Sequence, residues 1–274
     1  MSFADLASLD GDLARLDDLQ ERVDLLKAVN PDAYASAVES WLVAATYHSN
    51  SIEGSTLSLG DTALVREGAK VDAPADDIHA AEGGFAAAAF LDGALTRNEA
   101  LSEALIKRVH ELVFAEAKDL KTRGQYRNVE VEITGTPFEP APVAYVPERM
   151  KALVESVSGS KRHPAIVAAL FHLEFESIHP FVNANGRTGR LISNFILQRA
   201  GFEPVAIPSE ARARYIGAIQ AFQINDDPFP FADFFVALLI ERLEHLIALL
   251  SPTESAGRPG NPTRGAIASY LQEK

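Results

Sequence analysis

Apolar residues in this chain recur mainly at intervals of three and four, the period a helix imposes on a face turned toward a core. Residues 31–47 open on Asn30-Pro31 and set Tyr34, Val38, Trp41, Leu42 and Ala45 along one stripe. Proline suits such a start because the first turn does not use its missing N–H. The Ala-rich segment 76–95 reads as helix despite Gly83-Gly84. Residues 102–117 carry Leu105, Ile106, Val109, Leu112 and Val113 at helical spacing behind Ser102, a good N-cap. Further helices open at Pro147 and Pro164, run over 187–200 until Gly201, and follow at 209–223 and 231–250. One segment breaks the pattern. From Asn128 to Thr134 the apolar residues Val129, Val131 and Ile133 alternate, and Gly135-Thr136-Pro137 ends the run. With a second extended piece at Val143–Val146 it predicts one small β-hairpin in an otherwise all-α fold.

A chain of 274 residues can bury a sizeable core unaided, and it must, because it has no cysteine. Disulfides and thiolate metal sites are thereby excluded. The histidines His48, His110, His163 and His172 show no metal-ligand spacing. The first twenty residues have neither the basic start nor the apolar run of a signal peptide, and no stretch reaches the length of a membrane span. The expectation is a cytoplasmic protein without a membrane partner. The net charge of −13 opposes direct nucleic-acid binding, so an anionic ligand is expected to be small and held by a few arginines and backbone amides. The organisation expected is an N-terminal helical region (1–100), a core (101–250) and a linker with a short C-terminal segment (251–274).

The chemistry concentrates in His179-Pro180-Phe181-Val182-Asn183-Ala184-Asn185-Gly186-Arg187-Thr188-Gly189-Arg190. A helix ends near Ile178 and another begins near Arg187, with small, sharply turning residues between. Exposed N–H groups at a helix start make an anion site. Arg187 and Arg190, three apart, place two cations at the positive end of that helix, an arrangement that favours a bound anion. His179 stands at the entrance as a base for neutral pH, and Glu174 and Glu176 precede it on the helix. Together these residues suit attack on a phosphate.

This loop resembles the active-site motif of the Fic family, His-x-Phe-x-(Asp or Glu)-Gly-Asn-Gly-Arg-x-x-Arg, at His179, Phe181, Asn185, Gly186, Arg187 and Arg190. The segment Gly124-Gln125-Tyr126-Arg127, the run Val129 to Gly135 and the stretch 140–147 are similar to the family's flap region. The resemblance extends over about residues 40–250. It implies a Fic-type helical bundle that transfers AMP, or another nucleoside monophosphate, from ATP or a related triphosphate to a hydroxyl of a target protein (Ser, Thr or Tyr). In that reading His179 is the base and Phe181 anchors the loop. Asn185, Gly186, Arg187 and Arg190 hold phosphates, and Asn194 reaches toward base or ribose. Val131, Ile133, Thr134 and Gly135 dock the target as an added strand. The resemblance also implies Mg²⁺, but its acidic ligand position is Asn183, a neutral amide, and the usual glycine is Ala184.

Residues Ser49-Asn50-Ser51-Ile52-Glu53-Gly54 are similar to the family's inhibitory helix motif at Ser49, Glu53 and Gly54. That likeness implies restraint in cis, with Glu53 pairing Arg190 in place of the outermost phosphate. Asn183 keeps three other readings open: a silent nucleotide-binding protein, a transferase with a different phosphodiester donor, and an enzyme that removes the modification. A homo-oligomer is compatible with all of them.

Overall fold

The computed structural model describes residues 3–114, 122–133 and 135–251. The fold is all-α. After a 3-10 turn at Phe3–Leu9 come α1 (Asp10–Val29), α2 (Pro31–Ile52), α3 (Leu59–Arg66), α4 (Ala75–Thr96), α5 (Glu103–Val113), α6 (Val146–Gly159), α7 (Pro164–Ile178), α8 (Asn185–Arg199), α9 (Arg212–Asn225) and α10 (Phe229–Leu250). Helices α1 and α3 were not expected from the sequence. The first is rich in charge, but Leu13, Leu16, Leu19 and Val23 return every three or four residues and are buried, packing α1 along α10. The second is opened by a capping box, in which Ser58 Oγ accepts from Asp61 N–H at 3.0 Å and Asp61 Oδ2 accepts from Ser58 N–H at 3.1 Å.

The centre is α7, where Ala165, Ala168, Ala169, Phe171, Leu173, Phe175 and Ile178 are all buried. It touches α6, α8, α9 and α10, so both ends of the segment carrying His179 are surrounded by packed helices. One continuous apolar core runs from Leu6 and Leu16 near the N-terminus to Leu246 and Ile247 in α10. Among the described residues, no helix is long and apolar enough to cross a membrane.

The expected hairpin is not formed: the described residues contain no strand. Val143–Tyr145, meant to supply the second strand, is a 3-10 turn that leads into α6. The Val143 N–H donates to the Glu130 carboxylate at 3.0 Å instead of to a neighbouring backbone. A ribbon of two strands is marginal even when both are available, and Val129 points into solvent, so nothing compensates for a missing partner. Thr134 lies outside the described residues, as do residues 115–121 at the end of the expected 102–117 helix and the tail from 252.

Gly83 shows where α4 meets α5. A Cβ there would stand 2.5 Å from the Leu112 carbonyl oxygen and 3.1 Å from that of Val113, both backbone atoms. Helix propensity alone favours alanine by about 1 kcal/mol. The contact reverses the sign: Gly83→Ala is expected to lower stability by about 2 kcal/mol. A urea melt that finds the variant as stable as the parent would contradict this close approach.

Candidate active site

Two residues in left-handed backbone shape the loop between α7 and α8. His179 (φ 50°) ends α7, its N–H still donating to Phe175 O at 2.9 Å. Ala184 (φ 58°) precedes α8. A side chain makes this backbone cost about 1–2 kcal/mol per residue, so the loop must be held by its surroundings. Asn185 holds it from within. Its Oδ1 accepts from Phe181 N–H and its Nδ2 donates to Phe181 O, both at 2.9 Å. The Phe181 ring is wholly buried and stacks on His110, with centroids 3.7 Å apart and planes 4° from parallel.

His110 and Arg127 hold the loop from outside. The His110 Nδ1 accepts from Gly124 N–H at 3.0 Å, which leaves Nε2 to donate to Asn183 O at 3.2 Å. Arg127 is buried and donates to the carbonyls of His179 (2.8 Å), Ile178 (3.4 Å) and Val129 (3.0 Å), and to that of Ala141. It therefore ties the catalytic turn to both ends of the flap segment. Neither residue was assigned a role from sequence. The signal for Arg127 was its place beside the alternating segment; His110 gave none, being one of several scattered histidines.

Arg190 lies under the N-terminal turns of α8, buried. Its Nε donates to Ser49 Oγ (3.0 Å), and one terminal nitrogen donates to Ser49 O (2.9 Å) and to Glu53 Oε1 (2.7 Å). The other donates to Tyr215 Oη at 3.1 Å. Arginine has no acceptor, so the Tyr215 hydroxyl accepts from it and donates onward to His172 Nε2, 2.7 Å away. Tyr215, on α9, was also missed. Ser49, Glu53 and Arg190, more than a hundred positions apart in the chain, thus meet as the sequence motif implied. Gly54 (φ 97°) ends α2 in a conformation glycine adopts at little cost, directly after Glu53. The Glu53 carboxylate presses on Gly186: a Cβ on Gly186 would overlap Glu53 Oε1.

Burial pushes the Glu53 carboxyl upward, but Arg190, and then Arg187 and Arg212, outweigh it and hold the group below its ordinary range. Arg187 is buried in the first turn of α8. Glu176 goes the other way. Burial and the nearby Glu53 charge push its pKa up to about 8, against the pull of Arg190. Burial takes His179 down to about 4, with a hydrogen bond to the Glu176 backbone opposing and Arg127 adding to the fall. His179 Nδ1 faces Glu176 Oε2 at 3.8 Å.

Other expected residues are placed differently. Asn194 pairs its Oδ1 and Nδ2 with Val205 N–H and O, each at 2.9 Å, clamping the turn after α8 and leaving one amide N–H and one oxygen lone pair beyond these bonds. The Asn185 side chain is spent on Phe181, so what α8 offers an anion at that position is backbone. Val131 and Ile133 are partly buried in the extended segment, and Gly135 O accepts from Gln220 Nε2 at 3.2 Å. Asn183 is exposed, and its Oδ1 accepts from Ala184 N–H at 2.6 Å. This uncharged oxygen, already hydrogen-bonded, does not fit the role of a magnesium ligand. Among the described residues no group of three His, Cys, Asp or Glu is arranged to hold a metal.

The buried titratable groups make stability depend on pH. His110 and His172 are lowered by burial to about 4 and about 3, and His179 to about 4, against about 6.5 in the unfolded chain. The unfolded state therefore takes up these protons first, and stability is lost as pH falls below 6.5. Glu176 has the opposite sign: its raised pKa favours the folded state in acid, and that advantage disappears as pH rises from about 4.3 toward 8. Three histidines against one carboxyl leave a net loss on the order of 2 kcal/mol per unit between pH 6 and 5. Urea midpoints measured from pH 5 to 8 should peak near 6.5 and drop more steeply on the acid side. A flat profile would mean that these side chains are not held neutral.

Comparison with known proteins agrees with this geometry. Residues 100–197 match the Fic/DOC family. The protein adenylyltransferase Fic of Drosophila willistoni is 32% identical over 213 residues, covering 77% of this chain but only 41% of that relative's length. Among solved structures, Fic-1 (residues 134–508) from C. elegans superposes with a TM-score of 0.80 at 27% identity, covering 89% of this chain and 73% of the other. A Fic-domain-containing signaling protein from Bacteroides thetaiotaomicron has the same fold, with a TM-score of 0.77 at 24% identity over 86% of this chain and 96% of its own. Residues 100–197, which include the histidine-led loop between α7 and α8, are a Fic/DOC family domain.

Proposed function

We propose that this chain is an autoinhibited protein adenylyltransferase that moves AMP from ATP to a Ser, Thr or Tyr hydroxyl of a target protein. The observation that carries the reading is the Glu53 carboxylate, seated against Gly186 and paired to Arg190 at 2.7 Å. A helix start with a buried arginine is a site for phosphate, and an internal carboxylate already occupies it. The relatives named adenylyltransferases support ATP as the donor.

In the transfer, the target hydroxyl oxygen bonds to the α-phosphorus and the bond from that phosphorus to the bridging oxygen breaks, releasing pyrophosphate. The hydroxyl proton passes to His179. Its low pKa keeps the ring neutral and able to accept, and with Nδ1 turned toward Glu176, Nε2 is the atom that meets the target. The backbone around Gly186 and the guanidinium groups of Arg187 and Arg190 hold the phosphates. The segment that includes Val131 and Ile133 offers its backbone to an extended stretch of target.

Removing the carboxylate is the direct test. Hydrogen bonds to charged groups contribute ~1.5–3 kcal/mol each. Glu53→Gly is therefore expected to tighten ATP binding by roughly ten- to a hundredfold and to raise self-modification, read as added AMP by intact mass. Equal affinity and equal modification in parent and variant would remove Glu53 from the inhibitory role.

His179→Ala, in the Glu53→Gly background, should lower transfer by ~10²–10⁴-fold while ATP affinity stays nearly constant. Comparable rates with and without the imidazole would rule out His179 as the base.

Asn183 favours a second reading, a nucleotide-binding protein without turnover, because its amide oxygen is turned onto Ala184 N–H. That reading expects ATP to bind Glu53→Gly equally well with and without Mg²⁺ and to give no product.

A further inference from the structure

Glu176 lies on α7 one turn before His179 and is more than nine-tenths buried. Its carboxyl turns toward the histidine, with Oε2 at 3.8 Å from His179 Nδ1, while Oε1 is buried and has no hydrogen-bond partner. His179 Nδ1 is buried too, so a proton leaving that side of the ring meets no water. Two acceptors of Glu176 lie near the ring, the backbone carbonyl and the carboxyl. An amide oxygen can orient an N–H but cannot keep its proton; a carboxylate can do both.

Charged and titratable groups from three helices reach this carboxyl. Glu53 on α2 pushes it up, Arg190 on α8 pulls it down, and Tyr215 on α9 is itself pushed up by it. Gln223, also on α9, donates to the Glu176 backbone oxygen at 3.4 Å and not to the carboxyl. Burial and Glu53 outweigh Arg190, and the carboxyl keeps its proton up to about pH 8, whereas the buried imidazole gives its own up above about 4. In water the order is the reverse. A proton shared by this pair therefore settles on Glu176. A phosphate in the place of Glu53 keeps an anion opposite Glu176, so the order holds with nucleotide bound.

We propose that Glu176 is a positioning residue of the transfer, acting through His179: its carboxylate accepts from Nδ1–H, which leaves the Nε2 lone pair toward the target, and it takes the Nδ1 proton as the target's proton reaches Nε2. The proposal rests on the reading of His179 as the base. In the step the target O–H and the Nδ1–H bonds break, Nε2–H and the Glu176 O–H form, and the ring is neutral before and after. The acid of a Ser-His-Asp triad orients its histidine in the same way but stays ionised. Here the inverted order carries the proton one group further. The gap of 3.8 Å has to close by about 1 Å, and hydrogen bonds at such sites tighten when ligands bind.

The test has one part that needs no transfer. In the whole chain without nucleotide, the His179 ring nitrogens are followed by nitrogen-15 NMR from pH 6 to 10, assigned by their loss in His179→Ala. A step with its midpoint near 8 is expected, and it is expected to vanish in Glu176→Gln, which keeps the shape but cannot ionise. Glu176→Met serves as the second variant should Glu176→Gln not fold. The proposal is overturned if His179 shows no step in that range or if a folded variant keeps it. The second part measures self-modification in the Glu53→Gly background. Adding Glu176→Gln should slow it by about tenfold or more with the KM for ATP nearly constant, and should abolish a rise in rate of about fivefold between pH 7 and 8. An unchanged rate and pH profile would also overturn the proposal. If Glu53→Gly transfers nothing, the adenylyltransferase reading fails, and the NMR result alone upholds or overturns the coupling of Glu176 to His179.

Discussion

A buried guanidinium needs a counter-charge, and Arg190 organises this molecule around that need. Taking an unpaired arginine out of water costs several kcal/mol, and leaving it without an anion after burial is strongly destabilising. The chain answers with one carboxylate, Glu53, and with neutral hydrogen-bond acceptors, Ser49 and Tyr215. Three helices, α2, α8 and α9, are joined through this single side chain. Behind it, His172 is held neutral by burial, so its ring meets the Tyr215 hydroxyl without adding a second cation. Such an arrangement is suited to exchange: a phosphate can take the place of Glu53 while the rest of the cluster stays as it is.

The loop above Arg190 is rigid for a different reason. Its two left-handed residues are costly, and almost every polar group nearby is used to hold them. Asn185 spans Phe181, His110 joins Gly124 to Asn183, and Arg127 gathers four carbonyls. Preorganisation of this kind fixes the direction of His179 and of the α8 amides before any ligand arrives. The adjoining extended segment has no such support. Its ends are tied by Arg127 and by Gln220.

Helix α2 stands between these extremes. It is fastened by polar contacts at its ends, while along its middle Leu42 and Val43 pack on Leu57, Val65, Ala81 and Phe85. Small changes of charge at those ends therefore act on the whole helix, whereas the core helix α7 is insulated from them by close packing on every side.

The all-α class and most helix positions were legible in the sequence, because apolar spacing, opening prolines and closing glycines are local properties that report on local backbone. The twelve residues from His179 and the six from Ser49 carried the site and its partner in the same way. Other features depended on distant pairing. Alternation at Val129, Val131 and Ile133 predicted a strand, but a strand needs a neighbour, and Val143–Tyr145 turned into a 3-10 helix instead. Asn185 and Asn194 looked like ligand contacts; the fold adds a structural task for each, on the backbone of Phe181 and of Val205. His110 and Tyr215 carried no local mark, and Arg127 only its place beside the alternating segment, since their importance comes from which atoms the fold brings within hydrogen-bonding reach of them. The sequence by itself determined where most helices form and which residue types stand together in the loop from His179. Only the tertiary structure decided which of those residues are free to act, because hydrogen-bond capacity is consumed by neighbours that the chain order does not reveal.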